Sequence, residues 1–110
     1  MGEQEKQRYS KLPVAELMAL IRAGRLGEHY QIWYSLAERA TPVAVNDMLL
    51  SFLSSEADYL HRYHCAAALI QVNDLSSAGW QPHLLSAAPK YPVRENLQKI
   101  RALLARGVQQ

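Results

Sequence analysis

His61, His64 and Cys65 stand at i, i+3 and i+4 in the stretch Tyr59 to Leu69 (YLHRYHCAAAL) and bring two imidazoles together with the single thiol of the 110-residue chain. On a helix this spacing puts His61 and Cys65 on one face, where an imidazole nitrogen and a thiolate can share a metal ion. No second ligand pair at a recognised spacing accompanies them, although His29 and His83 exist. The same two side chains would be the parts of a Cys/His nucleophile, but a third group to orient the base is missing, and burial of the thiol would raise its pKa. Cys65 aligns with apolar positions elsewhere in the chain, so a structural thiol explains it better than a ligand. No phosphate-cradling glycine loop, dinucleotide fingerprint, nucleophile elbow or zincin motif is present. The expectation is a non-enzyme with no catalytic residue, cofactor or metal.

The elements that carry these residues are helices. Pro13 suits a first helical turn and Gly24 a C-terminal cap, with Val14, Leu17, Met18 and Ile21 forming one stripe between them. A second helix is expected over about 28–40, ended by Thr41-Pro42, which also starts the third through a Thr N-cap and a Pro in the first turn. The third carries Val45, Met48, Leu49, Phe52 and Leu53. Ser54 or Ser55 would cap a fourth, over 56–72, before the Asn73-Asp74 turn signal. A short fifth fits between Pro82 and Ala88, and a sixth runs from Pro92 to about Arg106.

Composition sets the outer limits. With 49% apolar and 20% charged residues, the chain has the balance of one folded domain, and 110 residues do not suffice for a second core. No apolar run approaches the roughly 20 residues needed to cross a bilayer. The opening MGEQEKQRYSK lacks the apolar segment of a secretory signal and reads as a loose polar tail over 1–10, with 108–110 a second short tail. A single cysteine excludes an internal disulfide and agrees with a reducing compartment, so a cytoplasmic location without membrane contact is expected.

Three blocks, Leu26 to Leu36, Tyr59 to Leu69 and Tyr91 to Arg101, superpose at a spacing of about 33 residues, each as the second helix of a hairpin. The units run over about 12–40, 42–73 and 76–107. Aligned positions Ile32, Cys65 and Leu97, with Leu36 and Leu69, are apolar, and Ser35, Ala68 and Ile100 are small or apolar. A neighbouring stripe is Tyr30, Trp33 and Ala37 in the first unit and Tyr63, Ala66 and Ile70 in the second. It becomes Glu95, Gln98 and Ala102 in the third, as an end repeat facing water requires.

Val93 to Leu104 (VRENLQKIRALL) and Leu60 to Ile70 (LHRYHCAAALI) resemble the second helix of HEAT-like repeats, in which an Arg near the helix start precedes small and Leu residues; Arg62 and Arg94 match that position, while the first unit has His29. The resemblance covers residues 12–107. It implies an all-α fold of six helices, arranged as three antiparallel hairpins stacked in a short right-handed HEAT-like solenoid. It also implies a scaffold role, with second helices lining a partner-binding surface.

Here the positions beside the apolar stripes are Gln31, Tyr34 and Glu38, then His64, Ala67 and Gln71, then Asn96 and Lys99. Trp80 either covers the third hairpin or anchors a partner. The expected function is therefore a small adaptor, inhibitor or immunity-type protein that binds another protein through Gln31, Tyr34, Glu38, His64, Gln71, Asn96, Lys99 and Trp80. Nucleic acid is the alternative partner. Net charge is +1 over residues 1–39, −3 over 40–75 and +4 over 76–110, and Arg62, Arg94, Lys99, Arg101 and Arg106 would be its phosphate contacts. A homodimer through the N-terminal hairpin also fits, because Leu17, Met18, Leu20 and Ile21 with Tyr30, Trp33 and Tyr34 leave that end without a polar cap.

Overall fold

Proline, glycine and aspartate punctuation sets most of the helix ends. The computed structural model describes residues 2–108, which form six α-helices and, among those residues, no strand. The helices are α1 (Gly2–Ser10), α2 (Val14–Arg22), α3 (Gln31–Arg39), α4 (Pro42–Leu53), α5 (Tyr59–Asn73) and α6 (Val93–Val108). Pro42 opens α4 in its first turn, although Thr41 makes no side-chain cap. The cap of α5 is Asp58, whose carboxylate accepts from the Leu60 N–H at 3.1 Å, so that helix starts later than Ser54 or Ser55 would place it. Asp74 ends it in the left-handed region at φ 52°.

The helix count matches expectation, but the set differs. The stretch expected to be a loose tail over 1–10 is α1 through residues 2–10, and it buries Glu5 and Tyr9, one turn apart. Met1 lies outside the described residues. The expected fifth α-helix is absent, and 3-10 turns at Ser76–Ala78 and Pro82–Leu85 take its place. Pro82 starts the second of these, and the prolines at 89 and 92 leave no run long enough for α-helical propagation. Of the second expected tail, Val108 is the last residue of α6, and residues 109 and 110 lie outside the described residues.

The apolar positions aligned in the sequence form much of the core. Ile32, Cys65, Leu97, Leu36, Leu69, Ala68, Ile100 and Ser35 are all buried. The second stripe buries Trp33, Ala37, Ala66 and Ile70 and half-buries Tyr30 and Tyr63, whereas Glu95, Gln98 and Ala102 of α6 face solvent. α2 packs on α3 and α4 on α5; between these pairs α3 lies against α5 and α2 against α4. A cyclic amide pair fixes α4 to α5, Asn46 Nδ2 donating to Asn73 Oδ1 at 3.1 Å and Asn73 Nδ2 to Asn46 Oδ1 at 2.8 Å. The C-terminal stretch packs the other way over: the Pro82–Leu85 turn lies along α5, while α6 lies against that turn and α4.

α1 covers the outer side of α3 and supplies the polar end that the first hairpin lacks. Its Glu5 carboxylate accepts from the backbone N–H of Glu28 at 2.9 Å and of His29 at 3.0 Å. Burial alone would raise the Glu5 carboxyl, but backbone N–H groups of Glu28, His29 and Gln31, with the His29 charge, hold it below its ordinary value. Gly27 makes the approach feasible: its φ is +74°, and a Cβ there would lie 2.7 Å from the Tyr9 hydroxyl and 2.8 Å from the Glu5 carboxylate. Arg39 ties down the other end, donating to Leu12 O at 2.6 Å and Tyr9 O at 3.0 Å.

Candidate partner-binding face

The histidines of α5 meet the aromatics of α3. Trp33, 1% exposed, donates its Nε1–H to His61 Nδ1 at 3.1 Å, which fixes the imidazole as the acceptor at that nitrogen. Burial holds His61 below the ordinary histidine value against the pull of Asp58 and Glu5; burial and then the neighbouring His61 do the same to His64. Tyr30 stacks on His64, with centroids 4.4 Å apart and planes at 19°, and lies 4.8 Å from His61. Its backbone is left-handed at φ 62°, a conformation that costs a bulky residue about 1–3 kcal/mol and that the two ring contacts accompany.

Outward from this cluster the rings continue to the surface. Tyr34 meets His64 edge to face at 5.6 Å, Tyr63 meets His64 at 5.5 Å, and Tyr59 lies 6.2 Å from Tyr63. Tyr34 is 46% exposed, Tyr59 42% and Leu60 46%. The row runs across two helices, and its exposed ionisable neighbours on the chain are Glu38 one turn beyond Tyr34, with Arg39 beside it, and Glu56 and Asp58 just before α5. Among residues 40–89 the sole Lys or Arg is Arg62. That side chain is committed elsewhere, its Nε donating to Ala57 O at 2.9 Å and its Nη1 to Ser86 O at 3.1 Å.

Of the residues expected to bind a partner, Tyr34 and His64 come together, flanked by half-buried Gln31 and exposed Glu38, with exposed Gln71 further along α5. Asn96 is corrected: it is 7% exposed and donates Nδ2 to Leu84 O at 2.9 Å, so it joins α6 to the preceding turn. Lys99 is exposed on α6, which packs on α4 and is not part of the α3–α5 face. Trp80 is half-buried and packs against the core. The register could not foresee this, because it assumed that the third unit stacks as the first two do.

The expected phosphate contacts disperse in the same way. Arg62 is engaged by two carbonyls, and the α6 cations form two pairs: at about 100° per residue, Arg94 and Arg101 share one flank and Lys99 and Arg106 another, some 120–160° away. His61 and Cys65 point to different neighbours, His61 to Trp33 and Cys65 Sγ to the Leu49 carbonyl at 3.4 Å. Burial drives the Cys65 thiol well above its ordinary pKa. No group of three or more His, Cys, Asp or Glu able to hold a metal ion occurs among the described residues.

Sequence reasoning missed Tyr59 and Leu60 as surface residues and placed Tyr30 and Tyr63 wholly in the inter-repeat stripe. The signal was there in the i, i+4 pairs Tyr59/Tyr63 and Leu60/His64, which set two lines of rings and apolar carbon on one face of α5. Elsewhere, an apolar groove of about 610 Å³ lies between Val43, Val72, Leu75, Leu103 and Leu104. Another, about 810 Å³, lies between α1 and the α2–α3 loop beside Arg8 and Arg25. No helix among the described residues is long and apolar enough to cross a membrane. Comparisons of the chain with protein-family models, curated proteins and solved structures give no match.

Proposed function

We propose that this chain is a non-enzymatic protein-binding module, an adaptor or inhibitor, which engages another protein through the exposed aromatic row of α3 and α5. The observation that carries the reading is the continuity of Tyr34, His64, Tyr63 and Tyr59 from a buried Trp33–His61 anchor to the surface. Rings held from below by packing offer contact area with little rotamer entropy left to lose, the property of interface anchors. α2 to α5 make two HEAT-like hairpins in this reading, since α2 lies on α4 and α3 on α5, and the third unit is a closing element rather than a further repeat. The self-association alternative rested on apolar surface at the first hairpin, and the packing of α1 on α3 weighs against it. A lone reduced Cys65 suits the cytoplasm as its place of work.

A photo-crosslinker at position 34 and, as a control, at position 94 tests the reading in lysate of the native host. One stoichiometric protein should be captured from position 34 alone, should survive a high-salt wash, and as a purified protein should lose affinity for the Tyr34→Ala chain. Capture from position 94 only, or nucleic acid released by salt, would sink it and favour the α6 cations instead.

A further inference from the structure

The charge around the aromatic row narrows the partner's chemistry. Glu38 follows Tyr34 by one turn of α3, Glu56 and Asp58 precede Tyr59 on the chain, and the nearest cation in sequence, Arg62, has its guanidinium on Ala57 O and Ser86 O. Arg39, beside Glu38, is likewise taken up by the carbonyls of Tyr9 and Leu12. A face of tyrosines with three carboxylates beside it on the chain, whose two neighbouring guanidiniums are turned onto backbone carbonyls, is complementary to a positively charged guest. A guanidinium or ammonium over a Tyr face gains cation–π attraction within about 6 Å of the ring, and carboxylates at the edge steer it in. Nucleic acid fits less well: bases can stack on tyrosines, but the Arg39 and Arg62 guanidiniums are engaged by carbonyls and three carboxylates repel the phosphates.

We infer that the α3–α5 face takes a basic, extended peptide segment of the partner, with Arg or Lys side chains laid over Tyr34, Tyr63 and Tyr59 and answered by Glu38 and Asp58. The inference rests on the protein-binding reading above. Centroid steps of 5.6, 5.5 and 6.2 Å give the row a path of at most about 17 Å, the length of some five or six extended residues. The 6.2 Å step between Tyr63 and Tyr59 is close to the roughly 6.8 Å between alternate side chains of a strand, so the cations belong at alternate positions.

Three capped hexapeptides that alternate glycine with arginine, citrulline or glutamate are titrated into the full chain and followed by aromatic and backbone NMR shifts. The arginine peptide should move Tyr34, Tyr59, Tyr63 and His64 and bind at least about tenfold more tightly than its uncharged citrulline isostere, with no shifts from the glutamate peptide. The Glu38→Gln/Asp58→Asn double variant should lose about threefold or more of that affinity; Asn keeps the α5 cap, and an unchanged amide spectrum elsewhere verifies the fold. Equal binding of the arginine and citrulline peptides, shifts confined to α6, or equal perturbation of the row by oligothymidylate would each overturn the inference. If none of the peptides moves the row while the position-34 crosslink still finds its protein, the basic segment is wrong and the binding face stands.

Discussion

Arg62 and Arg94 occupy the same register position in α5 and α6 and do opposite things. Arg62 reaches back to the α4–α5 loop and across to Ser86, joining three segments with one guanidinium. Arg94 stands exposed at the start of α6. What differs is the preceding element. α5 follows a full helix and a short loop whose carbonyls lie within reach, whereas α6 follows a 3-10 turn and a proline-rich link. A shared helical phase carries over which positions are buried. It does not transmit a side chain's hydrogen-bond partners, which belong to the neighbouring segment.

The sharpest way to test the contrast is to remove each arginine. Arg62→Ala should cost about 2–3 kcal/mol, since a charged donor leaves two partly buried carbonyls without their partner. Arg62→Lys should recover less than half, because an ammonium cannot span both acceptors as the fork does. Arg94→Ala should leave the urea midpoint unchanged. If the two alanine variants melt alike, the clamp assigned to Arg62 is wrong.

The two ends of the molecule make a second contrast. At the C-terminal end α6 supplies its own polar outer face, while at the N-terminal end a separate helix is laid over α3 and held by Glu5. Gly27→Ala should destabilise by about 2 kcal/mol, part from a left-handed φ and part from pushing Tyr9 and Glu5 away. Faster hydrogen exchange in α1 and the α2–α3 loop, with α6 unaffected, is the matching local signature.

Both contrasts mark how far the sequence could be read. The 3.6-residue pattern from Val14 to Leu104 is strong, so the buried stripes, the exposed outer face of α6 and the helices α2 to α5 were visible within a few residues of their ends. α1 was not, because Tyr9 is its only strongly apolar residue and its fixing group is a carboxylate that a sequence pattern counts as solvated. Tyr34 and His64 were legible as neighbours because both lie beside stripes whose phase is certain. The burial of Asn96 and the placing of Lys99 off the α3–α5 face were not legible, because both follow from the packing of the C-terminal stretch. That packing depends on how the Pro82–Leu85 turn meets α5, a long-range contact with no periodic signature.

Affinity should separate the α3–α5 face from α6 where stability does not. Tyr34→Ala should weaken the crosslinked partner's binding about tenfold or more, the loss expected for an aromatic anchor, while shifting thermal stability little because the ring is nearly half exposed. Arg101→Glu reverses a cation on α6 and should leave both affinity and stability unchanged, since its contact to the Ser54 hydroxyl is long at 3.5 Å. Isothermal titration with the purified partner reads both.

The smallest effect distinguishes the histidine-bearing middle of the molecule by acid. Burial lowers the folded-state pKa of His61 and His64, so on acidification the unfolded chain takes up protons first. Their contribution is intact above the ordinary histidine value near 6.5, and declines as pH falls below it until the folded-state value is reached. Protonating His61 at Nδ1 also sets an N–H against the Trp33 indole N–H, which removes the one bond tying the α5 histidine to the α3 core. Glu5 acts in the same direction at lower pH: its depressed carboxyl stabilises the fold above its unfolded value, and that contribution is lost as pH falls through the folded one. Urea titrations between pH 7.5 and 5 should therefore show a shallow decline that becomes shallower still, but does not vanish, in His61→Gln, where an amide oxygen can still accept from Trp33 but does not titrate and His64 remains. An unchanged slope in that variant would show that the His61–Trp33 contact is indifferent to protonation.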